Sequence, residues 1–232
     1  RNITVTEEKY TIGIDVGGTF TDIVAVADEG TVLFSKAPST PADPSIGVMD
    51  AIARLSFELQ TDSASLLAKT ERIVHGTTVA TNALLERKGA KTGLLTTLGH
   101  RDVLEMREGL KDDRYNMRLP PPETLVPRYL RLGVNERMRA DGTVHRKLDT
   151  ASLNAAIETL RGAEVTSVAV CYLHAYKDAS HEKETRERIE AKLPGVSVSL
   201  SSEVFPEIKE YERVSTTVVN SYVRPVVEKY LR

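Results

Sequence analysis

The sequence has 232 residues, with 31 lysines and arginines against 33 aspartates and glutamates and a formal net charge of −2; at roughly 100–200 residues per domain, this is one large domain or two small ones. The near-neutral balance, without a tract of lysines or arginines, gives no electrostatic reason to expect a nucleic-acid partner. A single cysteine excludes an internal disulfide and a cysteine-rich metal site, and no apolar run approaches the ~20 residues that span a membrane, so we expect a soluble, cytoplasmic protein without membrane contact.

The first part of the chain alternates between strand and helix patterns. In chain order these patterns predict strands at 10–15, 23–26 and 32–36, a helix capped by Asp43 or Ser45 that extends to about Gln60, a strand at 73–75, a helix at 78–88 that ends before Gly89, and a strand at 92–96. The second and third strands flank a short turn and predict a hairpin. Strands that alternate with helices predict a mixed or parallel sheet flanked by helices.

The second part of the chain begins with an irregular stretch that is charged and then rich in proline at 120–122. After it we expect a hairpin formed by 129–138 and 143–148, a helix at 150–161, a strand at 167–173, a helix at 180–193, a strand at 196–200, and a helical tail with a kink or break at Pro225. These patterns divide the chain into residues 1–106, an irregular connection at 107–128, a second, smaller α/β unit at 129–206, and a helical segment at 207–232.

A glycine turn joins the first two strands, in residues 15–22, Asp-Val-Gly-Gly-Thr-Phe-Thr-Asp. Two adjacent glycines allow positive φ and a close approach of backbone N–H groups to a ligand, and two threonines add hydroxyl donors. Asp15, at the end of the strand, can hold Mg²⁺, usually through water. The residues that we expect to bind a polyphosphate are Gly17, Gly18, Thr19 and Thr21. The alternative is a plain β-turn that Asp15 caps.

Two other nucleotide motifs are absent from this turn. The sequence shows neither a Walker A lysine loop nor a Gly-x-Gly-x-x-Gly helix opening, and a strand follows where those motifs need a helix. The turn resembles the phosphate loop of the actin-like ATPase superfamily. That resemblance implies a ribonuclease-H-like fold with two halves and ATP in the cleft between them.

A second block, residues 73–89, narrows the resemblance: Ile-Val-His-Gly-Thr-Thr-Val-Ala-Thr-Asn-Ala-Leu-Leu-Glu-Arg-Lys-Gly. Together with the glycine turn it resembles the N-terminal part of the hydantoinase A/oxoprolinase family, and the similarity continues through 92–99, 125–128 and 212–222. The family includes N-methylhydantoinase, 5-oxoprolinase and the ATP-binding subunits of acetone and acetophenone carboxylases. The resemblance implies ATP-dependent activation of a carbonyl or amide, a substrate such as a hydantoin, 5-oxoproline or a ketone, and a hydantoinase B-type partner subunit or domain.

The residues of this block also suggest roles of their own. His75 lies at the end of a strand and can orient the substrate or donate a proton as phosphate transfers, unless it is a structural histidine. N–H groups and hydroxyls at the entry to the following helix can converge on the substrate or an oxyanion, or simply cap the helix; they belong to Gly76, Thr77 and Thr78. Asn82 faces the same cleft or solvent, and we expect Leu84 and Leu85 in the core.

These expectations combine into one mechanism, with His75 and Asp15 as the catalytic residues. The γ-phosphate of ATP passes to the carbonyl oxygen of a cyclic amide, which prepares the ring for hydrolysis. The alternatives are a carboxylase subunit, a small-molecule kinase and a non-catalytic ATP-binding subunit. Since no second glycine-rich phosphate loop follows residue 22 and the sequence ends within a helical pattern, we expect the N-terminal half of such an enzyme, inactive alone.

Overall fold

The computed structural model describes residues 9–40, 42–109, 113, 115–120 and 123–231, in two compact units that meet in the sequence between Leu85 and Glu86. Predictions that involve residues 1–8, Pro41, Pro121 and Pro122 lie outside the described residues. The unit that begins at Glu86 is the larger of the two. The four-part division of the chain stays a prediction.

The first unit contains a mixed four-stranded sheet and three helices. Its elements are β1 (Tyr10–Val16), β2 (Phe20–Ala27), β3 (Val32–Pro38), α1 (Pro44–Glu58), α2 (Ser63–Ala68), β4 (Thr70–Thr77) and α3 (Val79–Leu85). The strand order is β3-β2-β1-β4. The strand β2 is antiparallel to both β1 and β3, and β4 runs parallel to β1.

One face of this sheet packs against α1, chiefly through β2 and β3. Alternate residues of β1 are buried and the residues between them are more exposed, as a strand with one covered face requires. Ile12 and Leu55 are both fully buried, and each such side chain contributes about 1.5–3 kcal/mol. The helix starts as predicted, because the Asp43 carboxylate accepts a hydrogen bond from Ser45 N at 3.0 Å.

The second unit contains a parallel four-stranded sheet. Its elements are β5 (Thr92–Thr97), α4 (Val103–Met106), a 3₁₀ turn (Arg128–Leu130), β6 (Arg131–Val134), β7 (Arg137–Met138), β8 (Val144–Arg146), α5 (Thr150–Gly162), β9 (Ser167–Cys171), α6 (Ser180–Lys192), β10 (Ser197–Leu200), α7 (Ser201–Val204) and α8 (Glu210–Tyr230). The order of the main sheet is β10-β9-β5-β6, and β7 and β8 form a separate antiparallel ribbon. Every residue of β5 and β9 is buried, which is typical of parallel strands covered on both faces.

Most predicted elements are confirmed, and the α/β class with a mixed sheet flanked by helices is confirmed with them. The predicted hairpin arm at 129–138 is wrong in part: residues 131–134 form β6, which pairs with β5, and only Arg137–Met138 pair with β8. The predicted helix at 78–88 ends at Leu85. Leu85 is 77% exposed, so its placement in the core is wrong.

The last helix, α8, contains Pro225 and extends from Glu210 to Tyr230, so the proline does not break it. A proline removes one backbone donor, and the buried side chains of Val214, Val218 and Tyr222 anchor the helix in the turns before it. Within the described part of the chain, no helix combines the length and apolarity that a membrane span needs.

Candidate functional site

The glycine turn between β1 and β2 is closed by a hydrogen bond from Gly17 N to Phe20 O of 3.0 Å. A Cβ at position 17 would lie only 3.1 Å from the same oxygen, so the turn needs glycine there for its close approach. Neither Gly17 nor Gly18 has a positive φ. The positive φ that adjacent glycines allow is therefore not used here, and the short distance to Phe20 O explains the glycine at position 17.

Two backbone N–H groups in this turn have no acceptor within the described residues. They belong to Gly18 and Thr19, which are both exposed and lie outside the strands. Successive unpaired N–H groups in a turn form a concavity that attracts anions. The turn therefore has donors available for a phosphate without breaking any hydrogen bond of the protein.

Ser39, which follows β3, holds the turn in place. Its N–H donates to Thr19 O at 2.9 Å, and its hydroxyl donates to Gly17 O at 2.8 Å. The same hydroxyl lies 3.1 Å from the hydroxyl of Thr21, whose side chain is fully buried. The hydroxyl of Thr21 thus contributes to the support of the turn, and its predicted role in phosphate binding stays a prediction. Sequence analysis missed Ser39.

Asp15 occupies the exposed face of the sheet at the end of β1. The strand register pairs it with Asp22 on β2 and with Gly76 on β4, so these three positions share one face. A Cβ at Gly76 would lie 3.6 Å from Asp15 Oδ1, which shows that the carboxylate passes close to this glycine. Asp22 forms an ion pair of 3.0 Å with Lys36, whereas Asp15 forms no ion pair among the described residues.

His75 lies on the other face of the sheet. It pairs in register with Ile14, one residue before Asp15, and side chains of successive residues point to opposite faces. The strand β4 is an edge strand, and His75 is exposed. The register therefore does not bring the His75 and Asp15 side chains together, and the catalytic role of His75 stays a prediction.

The threonines before α3 use their hydroxyls within the protein. Thr77 Oγ1 donates to Val16 O at 3.3 Å and accepts from Val79 N at 3.2 Å, which ties the end of β1 to the start of α3. Asn82 Nδ2 donates to Thr78 Oγ1 at 3.2 Å, and a Cβ at Gly18 would lie 3.7 Å from that nitrogen. Asn82 therefore lies beside the glycine turn, one of the two positions that the sequence allowed.

Asp15 is suited to Mg²⁺ only in the presence of a phosphate ligand. Within the described residues, no group of three or more histidines, cysteines, aspartates or glutamates could hold a metal ion alone. Mg²⁺ is commonly bound through one or two carboxylates together with substrate phosphates and water. One exposed carboxylate beside a turn with free N–H donors fits that mode of binding.

The fold and this turn define a class: an α/β protein whose first unit presents, beside a carboxylate, a hairpin turn with two N–H groups that have no acceptor among the described residues. Residues 11–193 match the family model described as the hydantoinase/oxoprolinase N-terminal region, and the chain belongs to this family. The predicted family resemblance is thereby confirmed.

The relatives include hydrolases and carboxylases. The chain is 42% identical over 229 residues to caprolactamase subunit alpha of Pseudomonas jessenii, covering 98% of this chain and 33% of that subunit. The crystal structure of the ATP-dependent caprolactamase from that organism matches with a TM-score of 0.86 at 43% identity, over 96% of this chain and 32% of that one.

Two carboxylases are also similar. The acetophenone carboxylase gamma subunit of Aromatoleum aromaticum is 36% identical over 226 residues, covering 92% of this chain and 31% of that subunit. The nucleotide-free structure of an acetone carboxylase matches with a TM-score of 0.87 at 28% identity, over 97% of this chain and 33% of that one. The chain thus spans about one third of the length of these relatives.

Proposed function

We propose that this chain is the phosphate-binding part of an ATP-dependent enzyme that activates the carbonyl of a cyclic amide for ring-opening hydrolysis. The observation that carries the proposal is the turn with the free N–H groups of Gly18 and Thr19 beside the carboxylate of Asp15. The similarity to an ATP-dependent caprolactamase supports the substrate class, since a lactam is a cyclic amide.

In this proposal the turn and Asp15 divide the work of holding ATP. The N–H groups of Gly18 and Thr19 donate to phosphate oxygens, and the Thr19 hydroxyl adds a third donor. Asp15 would hold Mg²⁺, and the ion would supply charge neutralisation at the phosphates. Ser39 and Thr21 fix the turn, so its donors are oriented before the nucleotide binds.

The chemistry requires ATP because amide resonance makes the carbonyl a poor electrophile. The carbonyl oxygen attacks the γ-phosphorus, an oxygen–phosphorus bond forms, and the bond to the β-phosphate oxygen breaks to release ADP. A first water then adds to the activated carbon and the carbon–nitrogen bond breaks, which leaves the free amine and an acyl phosphate. A second water hydrolyses the acyl phosphate to the carboxylate and inorganic phosphate. We propose that the cyclic amide binds at His75, Gly76, Thr77 and Thr78, which follow one another at the end of β4.

A carboxylase subunit is the second candidate. The acetone carboxylase structure matches this chain as well as the caprolactamase does, with TM-scores of 0.87 and 0.86. In such an enzyme the same turn would bind ATP for the phosphorylation of a ketone, and the carbon nucleophile would then meet a carboxyl donor. We also propose a hydantoinase B-type partner, since the relatives are named as subunits, and a cytoplasmic location.

One panel of substrates tests the proposal. We would measure ATP hydrolysis by the full-length protein, co-expressed with its partner subunit, in the presence of caprolactam, a hydantoin, 5-oxoproline, and acetone or acetophenone with bicarbonate. Stimulation by a cyclic amide is the expected result, and stimulation by a ketone with bicarbonate alone would establish the carboxylase instead. Absence of ATP binding by the full assembly would refute both. For the 232-residue chain alone we expect binding of ATP in the millimolar range or weaker.

A further inference from the structure

In the parallel sheet of the second unit, strands that follow β5 in the sequence lie on both sides of it, which makes β5 a switch point of the topology. The chain passes from β5 to β6 on one side, and then places β9 on the other side of β5. In open parallel sheets, ligands bind in the crevice outside the carboxyl ends of the strands at such a switch point. Here those ends are Thr97 on β5 and Cys171 on β9.

A pocket of about 500 Å³ lies at this position. Its lining combines Thr97, from the end of β5, and His174, which follows β9, with residues of the segment that follows β6. The volume is in the range of small-molecule sites, which lie at about 300–1,000 Å³. The backbone of His174 is in the left-handed region, with φ 58°, a conformation that is uncommon for residues other than glycine.

Three arginines line the pocket, and none of them forms an ion pair within the described residues. Arg137 donates to His100 Nε2 at 3.1 Å, Arg139 donates to His145 Nδ1 at 3.0 Å, and Arg146 donates to Asn135 Oδ1 at 2.7 Å. These partners are two histidine ring nitrogens and one amide oxygen, and none is a carboxylate. A guanidinium has five N–H donors, so each arginine keeps most of its donors for a ligand.

The one carboxylate in the lining, Glu136, does not neutralise these charges. Glu136 is 2% exposed, and both of its oxygens are engaged: Oε1 accepts from the Thr97 hydroxyl, and Oε2 lies 2.8 Å from His181 Nδ1. Thr97 Oγ1 in turn accepts from Leu173 N at 3.0 Å, which ties the end of β5 to the segment after β9. The floor of the pocket is therefore fixed, and its accessible charge is positive.

We propose that this pocket binds the oxyanion of a small molecule, a carboxylate or a phosphate, through Arg137, Arg139 and Arg146. Guanidinium groups bind such oxyanions in bidentate fashion, and the charge-assisted bonds are about twice as strong as neutral ones. The apolar side chains of Leu98 and Met138, which also line the pocket, provide a surface for the carbon skeleton of the ligand. The site shares no residue with the glycine turn, and it does not depend on the proposed function.

Calorimetric titration of the 232-residue chain with sodium acetate and with inorganic phosphate, at constant ionic strength set by sodium chloride, tests this proposal. We expect saturable binding of at least one anion, and a loss of about tenfold or more in affinity when Arg137→Gln and Arg139→Gln are combined. Arg188→Gln is the matched control, because Arg188 pairs with Glu184 on α6, and it should leave the affinity unchanged.

The two anions also distinguish the sources of the oxyanion. Binding of acetate but not phosphate identifies a carboxylate ligand, and the reverse identifies a phosphate. Phosphate that binds only at the glycine turn would survive the arginine substitutions, and that result, or no saturable binding of either anion, overturns the proposal. If the double variant loses its helical circular dichroism, Arg146→Gln, at an exposed position, replaces it with the same expected direction.

Discussion

Replacing Ser39 by alanine removes one hydroxyl that holds two parts of the glycine turn. The variant loses the hydrogen bond to Gly17 O and the contact with the Thr21 hydroxyl, and keeps the backbone bond from Ser39 N to Thr19 O. Gly17 is partly exposed, so water can replace the donor to its carbonyl. The Thr21 side chain is fully buried, and its hydroxyl is left without this partner. An unsatisfied buried hydroxyl costs about 1–3 kcal/mol.

We therefore expect Ser39→Ala to lower the free energy of unfolding of the first unit by about 1–3 kcal/mol. The double variant Ser39→Ala with Thr21→Val removes both hydroxyls, so it should be less destabilised than the sum of the single variants, with a coupling of about 0.5–3 kcal/mol. Urea denaturation followed by circular dichroism measures all the values. Ser35→Ala on β3 is the matched control, since Ser35 has no hydrogen bond from its hydroxyl among the described residues, and it should change stability by less than about 0.5 kcal/mol.

The same variant links the stability of the turn to its function. If the turn binds phosphate, loss of the Ser39 hydroxyl should weaken ATP binding by the full-length assembly, because the N–H donors are no longer held in one orientation. A Ser39→Ala variant that is no less stable than Ser35→Ala would refute the assignment of Ser39 to the support of the turn. A Ser39→Ala variant that is destabilised but binds ATP with unchanged affinity would show that Ser39 supports the turn without contributing to phosphate binding.

Three further predictions concern the site and the second unit. Asp15→Asn should lower the ATP turnover of the full assembly by ~10²–10³ in steady-state kinetics. His75→Gln should lower it far less, because His75 lies on the opposite face of the sheet. Equal losses for the two variants would contradict the use of the strand register as a guide to the site. Gly17→Ala should lower the free energy of unfolding by about 1–3 kcal/mol in urea denaturation, because the added Cβ would lie 3.1 Å from Phe20 O. Gly18→Ala should lower it less, since its Cβ would lie 3.7 Å from the nearest atom, Asn82 Nδ2. A larger loss for Gly18→Ala than for Gly17→Ala would contradict this account of the turn. Burial raises the pKa of Glu182 above 4.5, although Ser201, Ser202 and Tyr172 donate hydrogen bonds to its carboxylate. The stability that this carboxyl group contributes is therefore present below pH 4.5 and is lost as the pH rises through the raised pKa. The variant Glu182→Gln should lack this loss, and identical pH profiles of the two proteins in urea denaturation would contradict the prediction.

The local features of the fold could be predicted because local residues determine them. The alternating strand at 10–16, the glycine turn and the Asp43 cap of α1 each depend on residues within a few positions of one another. The strand β6 could not be assigned correctly, since its partner is β5 and the neighbouring ribbon residues Arg137–Met138 suggested a local hairpin. A pairing between distant segments leaves no mark in the local pattern.

The candidate site shows the same limit. The turn and Asp15 could be identified from spacing, but Ser39 lies 22 residues from Gly17 and meets it only because β3 pairs with β2. A signal was available in principle: the hairpin register places Pro38 opposite Phe20, so the residue after β3 must lie beside the turn. The face of the sheet on which His75 lies depends on the register of β4 with β1. Most residues of β4 are exposed, so the strand shows no alternation of buried and exposed positions from which that face could be predicted.

The arrangement of the first sheet explains why so few residues of the motif remain available to a ligand. The strands β1 and β4 are parallel and end at the same edge, where the antiparallel β2 begins and β3 ends. Side chains from all four strand ends therefore crowd one edge, and most of their polar groups bond to one another: Ser39 with Gly17 and Thr21, and Thr77 with Val16. Among the described residues, the N–H donors of Gly18 and Thr19, the hydroxyl of Thr19 and the carboxylate of Asp15 form no such bond. Substitutions at the bonded positions should therefore act first on stability, and substitutions at Asp15 should act first on nucleotide chemistry.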